Sequence, residues 1–345
     1  MYFVHPQLNT IKPLFKKTSE AELKEKLTKF FPNRYILFTD SGRSAFQLAI
    51  KQLKLENSAM LVPAYICDIF LPIFEHFHIK PIYLDIDLKT FNIQVSEIEK
   101  KITPQTKSLL ICHTYGLPND MNKILEIAQK YNLKVIEDCA HIFPVKIYGD
   151  CTFFSFAKLV PTINGGMLIS KNPIKNQPEK YKSKLSNLIK FVRLFPVLAG
   201  ISENFRKEEK TLAINKLTLP RKASKISLKI FDYYLDNREE QLKKRIELAE
   251  YFHQKLREIG FQPSGITYIS ALVPKNINRD ELFYKLRKKG IFCSRIWHKP
   301  IFNPPADGLP NTSEAAKTII NFPLQNWFTL KDIDKIISGI LSNKD

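Results

Sequence analysis

The stretch Phe153-Phe154-Ser155-Phe156-Ala157-Lys158-Leu159-Val160-Pro161-Thr162-Ile163-Asn164-Gly165-Gly166 sets one lysine between an apolar strand and a pair of glycines. Upstream, Val135-Ile136-Glu137-Asp138-Cys139-Ala140-His141 ends a second apolar run in a carboxylate and an imidazole. If both runs are parallel strands, these groups face the crevice at the strands' carboxyl ends, where such sheets bind ligands. A lysine, a buried acid and a phosphate-sized pocket together point to pyridoxal phosphate (PLP). The lysine amine forms a Schiff base with the aldehyde, and desolvation near other cations makes it a better nucleophile. A carboxylate beside the pyridine nitrogen keeps that nitrogen protonated, so the ring accepts electrons. Taken singly, a strand-end lysine is more often solvated and a lone aspartate more often a helix cap. The surrounding motifs change that balance.

In chain order these are Ser41-Gly42-Arg43-Ser44-Ala45, Val62-Pro63-Ala64-Tyr65, Tyr83-Leu84-Asp85-Ile86-Asp87, His113-Thr114-Tyr115-Gly116-Leu117-Pro118-Asn119-Asp120-Met121, Glu137-Asp138-Cys139-Ala140-His141 and Ser155-Phe156-Ala157-Lys158 with Gly165-Gly166. Their order and spacing resemble the DegT/StrS family of PLP-dependent sugar aminotransferases, closely over residues 35–170 and more loosely beyond, with a faint return at Asn321-Phe322-Pro323-Leu324. The resemblance implies the α/β fold of type I PLP-dependent transferases, with a mostly parallel central sheet flanked by helices and a smaller C-terminal α/β domain. It also implies a homodimer that transfers an amino group from glutamate or a similar amino acid donor to a nucleotide-linked keto sugar, in surface polysaccharide or amino sugar biosynthesis. Carried over by position, Lys158 is similar to the Schiff-base lysine, Asp138 to the partner of the pyridine nitrogen and His141 to the residue near the ring's phenolic oxygen. Ser155 and the backbone of Gly42, Arg43 and Ser44 are similar to phosphate ligands, and no metal ligand is implied. Some relatives carry histidine in place of the lysine and catalyse dehydration; Lys158 speaks against that branch.

Three positions depart from the family pattern. Arg43 replaces a small hydroxyl residue, and either pairs with phosphate or points to solvent. Cys67 stands where an aromatic is usual, so either Cys67 packs on the cofactor ring or Tyr65 stacks there. Pro220-Arg221-Lys222-Ala223-Ser224 is the nearest match to the loop by which a neighbouring subunit reaches the phosphate. A degenerate, non-catalytic copy of the family is the alternative these departures leave.

The 345 residues and 44% apolar content suit one large domain and one smaller one. We expect an N-terminal arm over 1–34 with a helix Ser19–Phe31, a large PLP-binding domain over 35–230, and a connecting helix with a small domain over 231–345. Tyr35–Thr39, Met60–Pro63, Lys80–Asp85, Ser108–His113 and Leu133–Asp138 read as strands; Ser44–Leu53, Cys67–Phe77 and Asp120–Tyr131 read as helices. Further on, Asn237–Ile259, Arg279–Lys289 and Lys331–Ser342 read as helices, Ile266–Val273 and Ile291–Trp297 as strands, and His298–Pro310 as a loop.

Residues 171–230 carry +11 of the chain's formal +19. Within them Leu185, Leu188, Ile189, Val192 and Phe195 recur at helical spacing, which predicts a covering helix or, as a sharper alternative, peripheral membrane contact through 184–201. Such basicity also suits a nucleic-acid-binding protein, but no zinc-finger, RNP-like or helix-turn-helix signal accompanies it, and an anionic nucleotide sugar is steered by the same field. We therefore expect no nucleic acid partner. Cys67, Cys112, Cys139, Cys151 and Cys293 lack paired spacing and read as free thiols of a reducing cytoplasm. Neither a signal sequence nor an apolar run long enough to span a bilayer is present.

Overall fold

A computed structural model describes residues 2–182, 191, 194–195, 217–298 and 308–342. A two-residue strand β1 (Tyr2–Phe3) and the helix Glu20–Phe30 precede β2 (Tyr35–Thr39), and β3 (Ala59–Pro63), β4 (Lys80–Leu84), β5 (Thr106–Cys112), β6 (Lys134–Asp138), β7 (Cys151–Ser155) and β8 (Gly166–Ser170) follow. These last seven strands form one sheet in the order β2-β8-β7-β6-β5-β3-β4, parallel except for β8, which runs against both of its neighbours. Helices Gly42–Leu53, Leu71–His76 and Met121–Lys130 are among those linking the strands.

The strands read as unbroken apolar runs because both sheet faces are covered. Successive residues alternate sides: Phe153 and Leu168 pack with Phe46, Ala49 and Ile50 of the helix Gly42–Leu53, whereas Phe154 and Ile169 pack with Leu23, Leu27 and Phe231. The N-terminal helix starts at a capping box, in which Ser19 Oγ accepts from Glu22 N and Glu22 Oε2 accepts from Ser19 N. It is held to the helix Lys225–Asp236 by Lys26, which bridges Asp232 and Asp236.

Beyond the helix Arg238–Glu258, strands β9 (Gln262–Ser264) and β10 (Ile269–Leu272) pair antiparallel, and the short β11 (Ile291–Phe292) pairs with β1. The last strand, β12 (Ile319–Phe322), lies beside β10, and the helix Leu330–Leu341 closes this second core around Phe252, Phe322 and Ile336.

Three expectations need adjustment. Cys67–Phe77 is a 3-10 turn, Asp68–Phe70, followed by the helix Leu71–His76; Pro72, which lacks an N–H, sits in that helix's first turn. Ile291–Trp297 pairs only as β11, because the chain leaves the extended form to make a bridge at Ser294 and a left-handed turn at Trp297, φ 57°. The expected loop His298–Pro310 falls outside the described residues at 299–307; an unforeseen helix, Pro310–Thr318, has its first N–H groups capped from a distance by Asp85, to whose carboxylate Asn311 N and Thr312 N donate at 3.0 and 2.8 Å. The expected amphipathic helix and membrane contact at 184–201 fall outside the described residues except at Phe191, Leu194 and Phe195, of which Leu194 packs on Leu8 and Ile230.

Gly166 opens β8 where two backbones converge. A Cβ there meets Phe154 O at 2.5 Å and the Ser41 carbonyl carbon at 2.6 Å. Gly166→Ala is therefore expected to lower stability by about 3 kcal/mol, read as a drop in urea midpoint at unchanged slope; an unshifted midpoint means that the strand has room the packing denies.

Candidate active site

Asp138 ends β6, Ser155 ends β7, and Asp40 and Ser41 follow β2, so three strand ends deliver polar groups to one edge of the sheet. Lys158 follows at once in the single turn Phe156–Leu159. Two backbone bonds bind the edge together: Gly165 N donates to Asp40 O at 2.7 Å and Phe156 N donates to Gly165 O at 2.9 Å. Gly165 has φ 111°, a conformation glycine adopts without steric cost. The resulting cavity, of about 320 Å³, is lined among others by Asp40, Ser41, Gly42, Arg43, Cys67, Asp138, Ser155, Lys158, Asn164, Arg221 and Trp297.

The helix Gly42–Leu53 points its amino end into this cavity, with Ser41 as its cap, accepting from Ser44 N at 3.2 Å. Unpaired N–H groups and the helix dipole make such an end receptive to an anion. Gly42 is tight, since a Cβ there meets Ser155 Cβ at 3.2 Å. Ser44 itself is fully buried one layer behind, its hydroxyl donating to Asp40 Oδ1 at 2.5 Å. It supports the cavity wall and does not line it.

Burial pushes the Asp138 carboxyl above the usual range, and Lys158 opposes that rise. Its Oδ1 accepts from Ala140 N at 2.8 Å. His141 is also buried; desolvation and then the Lys158 charge hold its imidazole well below the usual value, so it is neutral. Its Nδ1 accepts from Tyr115 N at 3.2 Å, which in the neutral ring places the proton on Nε2. Nε2 lies 3.3 Å from Lys158 Nζ, which accepts that proton's hydrogen bond only in its uncharged form. Tyr115 donates from the turn after β5, where it has φ 54°.

A second buried network stands behind this one. His113 Nε2 lies 3.2 Å from Glu137 Oε2, and His113 Nδ1 accepts from Asn119 N at 3.2 Å. Burial pushes the Glu137 carboxyl up, but His113 and the Tyr148 and Gly149 amides outweigh it and hold the group below its usual range. Cys139 lies close enough to complete a three-group cluster with them. Both imidazole nitrogens of His113 are already committed, so the cluster reads as structural support for β6.

Of the two candidates for ring contact, Cys67 lines the cavity, whereas Tyr65 is buried behind it with its hydroxyl on Tyr115 Oη at 2.8 Å and Ile296 O at 2.9 Å. In the segment Pro220–Ser224, the nearest match to the neighbour-reaching loop, Arg221 O accepts from Asp40 N at 2.7 Å. Arg221 Nε is buried, 3.8 Å from Glu179 Oε2, with no hydrogen-bond acceptor among the described residues. Asp40, Asn164 and Trp297 went unread in the sequence; Asn164, inside the lysine motif, was the one with a local signal.

A buried carboxylate, a tight glycine at a helix end, an orphaned guanidinium N–H and an amine on an imidazole fit PLP, which presents a pyridine nitrogen, a dianionic phosphate and an aldehyde. Fold and site together define an α/β transferase built around one lysine. The chain belongs to the DegT/DnrJ/EryC1/StrS aminotransferase family, whose sequence model matches residues 14–341. Among curated relatives it is 27% identical over 347 residues to dTDP-4-amino-4,6-dideoxy-D-glucose transaminase of Shigella dysenteriae, covering 92% of this chain and 88% of that one. It is 35% identical over 149 residues to GDP-perosamine synthase of Escherichia coli O157:H7, covering 40% and 41%. Among solved structures, a DegT DnrJ EryC1 StrS aminotransferase from Brucella abortus superposes with a TM-score of 0.72 at 19% identity, covering 95% of this chain and 91% of that one.

Because the folded chain keeps a proton on Asp138 to higher pH than the unfolded chain does, ionising it costs stability as pH rises through the folded value. Cofactor-free Asp138→Asn is thus expected to melt above the parent at neutral pH, with the gap closing as pH falls to the ordinary carboxylate value of about 4. Thermal melts across that range check this, and a parent more stable than the variant at neutral pH contradicts it.

Proposed function

We propose that this chain is a PLP-dependent aminotransferase that moves an amino group from an amino acid donor, such as glutamate, to a keto sugar carried on a nucleotide. The observation that carries the reading is that one cavity joins the Lys158 amine, the Asp138 carboxylate and the amino end of the helix Gly42–Leu53. When bound, PLP supplies an electron-accepting pyridinium ring conjugated to an aldehyde.

In this reading Lys158 Nζ holds the aldehyde end and moves a proton at the substrate carbon. Asp138 holds the proton of the ring nitrogen; its burial and the Ala140 N–H fix it in one orientation. His141 keeps a neutral imidazole with Nε2 3.3 Å from Nζ, so it adds no charge beside the lysine and its Nε2–H is donated to that nitrogen only when the nitrogen is uncharged. Ser155, the Gly42 and Arg43 amides and the Arg43 and Arg221 guanidiniums receive the phosphate. The relatives named for dTDP- and GDP-linked sugars support the substrate class.

The same reading includes a homodimer. An apolar groove lined by Phe143, Val145 and Leu242, with Val145 82% exposed, is the kind of face that subunits cover. It also includes a reducing compartment such as the cytoplasm, for which the five free thiols speak. Among the described residues no helix is long and apolar enough to cross a membrane.

Lys158→Ala removes a half-buried amine and little packing. The variant is expected to fold, to lose borohydride-stable labelling by PLP, and to lose turnover by at least about a thousandfold in a mass assay for the aminated nucleotide sugar. A Lys158→Ala protein that still aminates at the parent rate overturns the reading.

A further inference from the structure

The cavity wall beside Cys67 is completed from the far end of the chain. Trp297, half-buried, lines the same cavity as Cys67, its ring centroid 6.0 Å from Lys158 Nζ. The indole lies nearly parallel to the His141 ring, with centroids 5.5 Å apart at 26°, and to Tyr115 at 5.9 Å and 20°; Tyr65 meets it edge-on at 5.2 Å. Phe70 and Phe153 also border the cavity but are committed to the core around Phe46.

Trp297 is held where it is at some cost. Its φ of 57° is one that bulky side chains rarely adopt, and such conformations persist where the surroundings over-determine them. Here the preceding peptide is fixed on both sides. Ile296 O accepts from Tyr65 Oη at 2.9 Å and from Tyr115 Oη at 3.4 Å, and Ile296 N donates to Asn321 Oδ1 at 2.7 Å. Asn321 is completely buried in β12, and the two tyrosines follow strands of the large sheet. Two separate cores thus spend hydrogen bonds on aiming one indole at the cavity.

A flat aromatic ring anchored at Lys158 needs an apolar face beside it, and stacked aromatic pairs hold best with centroids 4.5–7 Å apart. We propose that Trp297 is the residue that covers the cofactor ring, a positioning role that Cys67 is too small to fill. This rests on the PLP reading above.

The chain's only other tryptophan is Trp327, so Trp327→Phe leaves Trp297 as a sole reporter in the full-length protein. Titrating PLP into that protein is expected to quench the Trp297 emission to near background, with the same midpoint as PLP absorbance. Trp297→Leu, which keeps apolar bulk without a π face, is expected to weaken PLP affinity roughly three- to tenfold, and Trp297→Phe to restore most of it. In both variants borohydride still fixes PLP to Lys158. Trp297 emission that ignores bound PLP, or equal PLP affinity in parent, Leu and Phe proteins, overturns the assignment while leaving the PLP reading intact. A parent chain that binds no PLP overturns both.

Discussion

A carboxylate removed from water is costly, and at Asp138 the Ala140 N–H and the nearby Lys158 charge offset that cost only in part. Asp138 is 9% exposed, at the end of a strand sealed on both faces. The sheet order makes the pairing possible. β6 and β7 lie side by side with Asp138 opposite Phe153, so the turn that follows β7 has only a few residues in which to bring an amine back over the strand end. The reversal of β8 closes that turn, and β2 delivers the helix amino end from its other side. Shift any one of these four strands and the acid, the amine and the helix end no longer meet.

The positive charge of the chain finds a partial explanation at this edge. Arg43, Lys158, Lys182 and Arg221 all border one cavity, against Asp40 and Asp138. A site that must receive a phosphate and then an anionic substrate gains from such an excess, because the field is focused between low-dielectric walls. Surface lysines elsewhere are a weaker matter. Pairs such as Lys123 with Asp120 or Lys130 with Glu99 are solvated and contribute little to stability.

Much of the large sheet is legible in the sequence, because strands covered on both sides advertise themselves as continuous apolar runs. Lys158, Asp138 and Ser155 are legible for the same reason, each sitting at the end of such a run. What escapes is what depends on distant segments. The helix Pro310–Thr318 follows a stretch rich in proline and asparagine and owes its cap to Asp85, 226 positions before Asn311. Tyr65 and Cys67 could not be told apart locally, since which one faces the cavity is decided by the Tyr115 hydroxyl and the Ile296 carbonyl. Trp297 carries no local mark at all. Its position follows from Asn321 and the tyrosines, and a one-dimensional pattern does not contain that meeting.

The edge strand β2 has a further meaning for the newborn chain. Its partner in the sheet is β8, with Tyr35 opposite Ser170 and Thr39 opposite Gly166. On the ribosome, the apolar Leu37 and Phe38 therefore wait for more than a hundred residues to be made before they can pair. Closing so long a loop is slow, and the intervening parallel strands must stack in order during the delay. Translation speed across the stretch between Thr39 and Gly166 thus governs how long an unpaired hydrophobic edge is open to chaperones or to another chain.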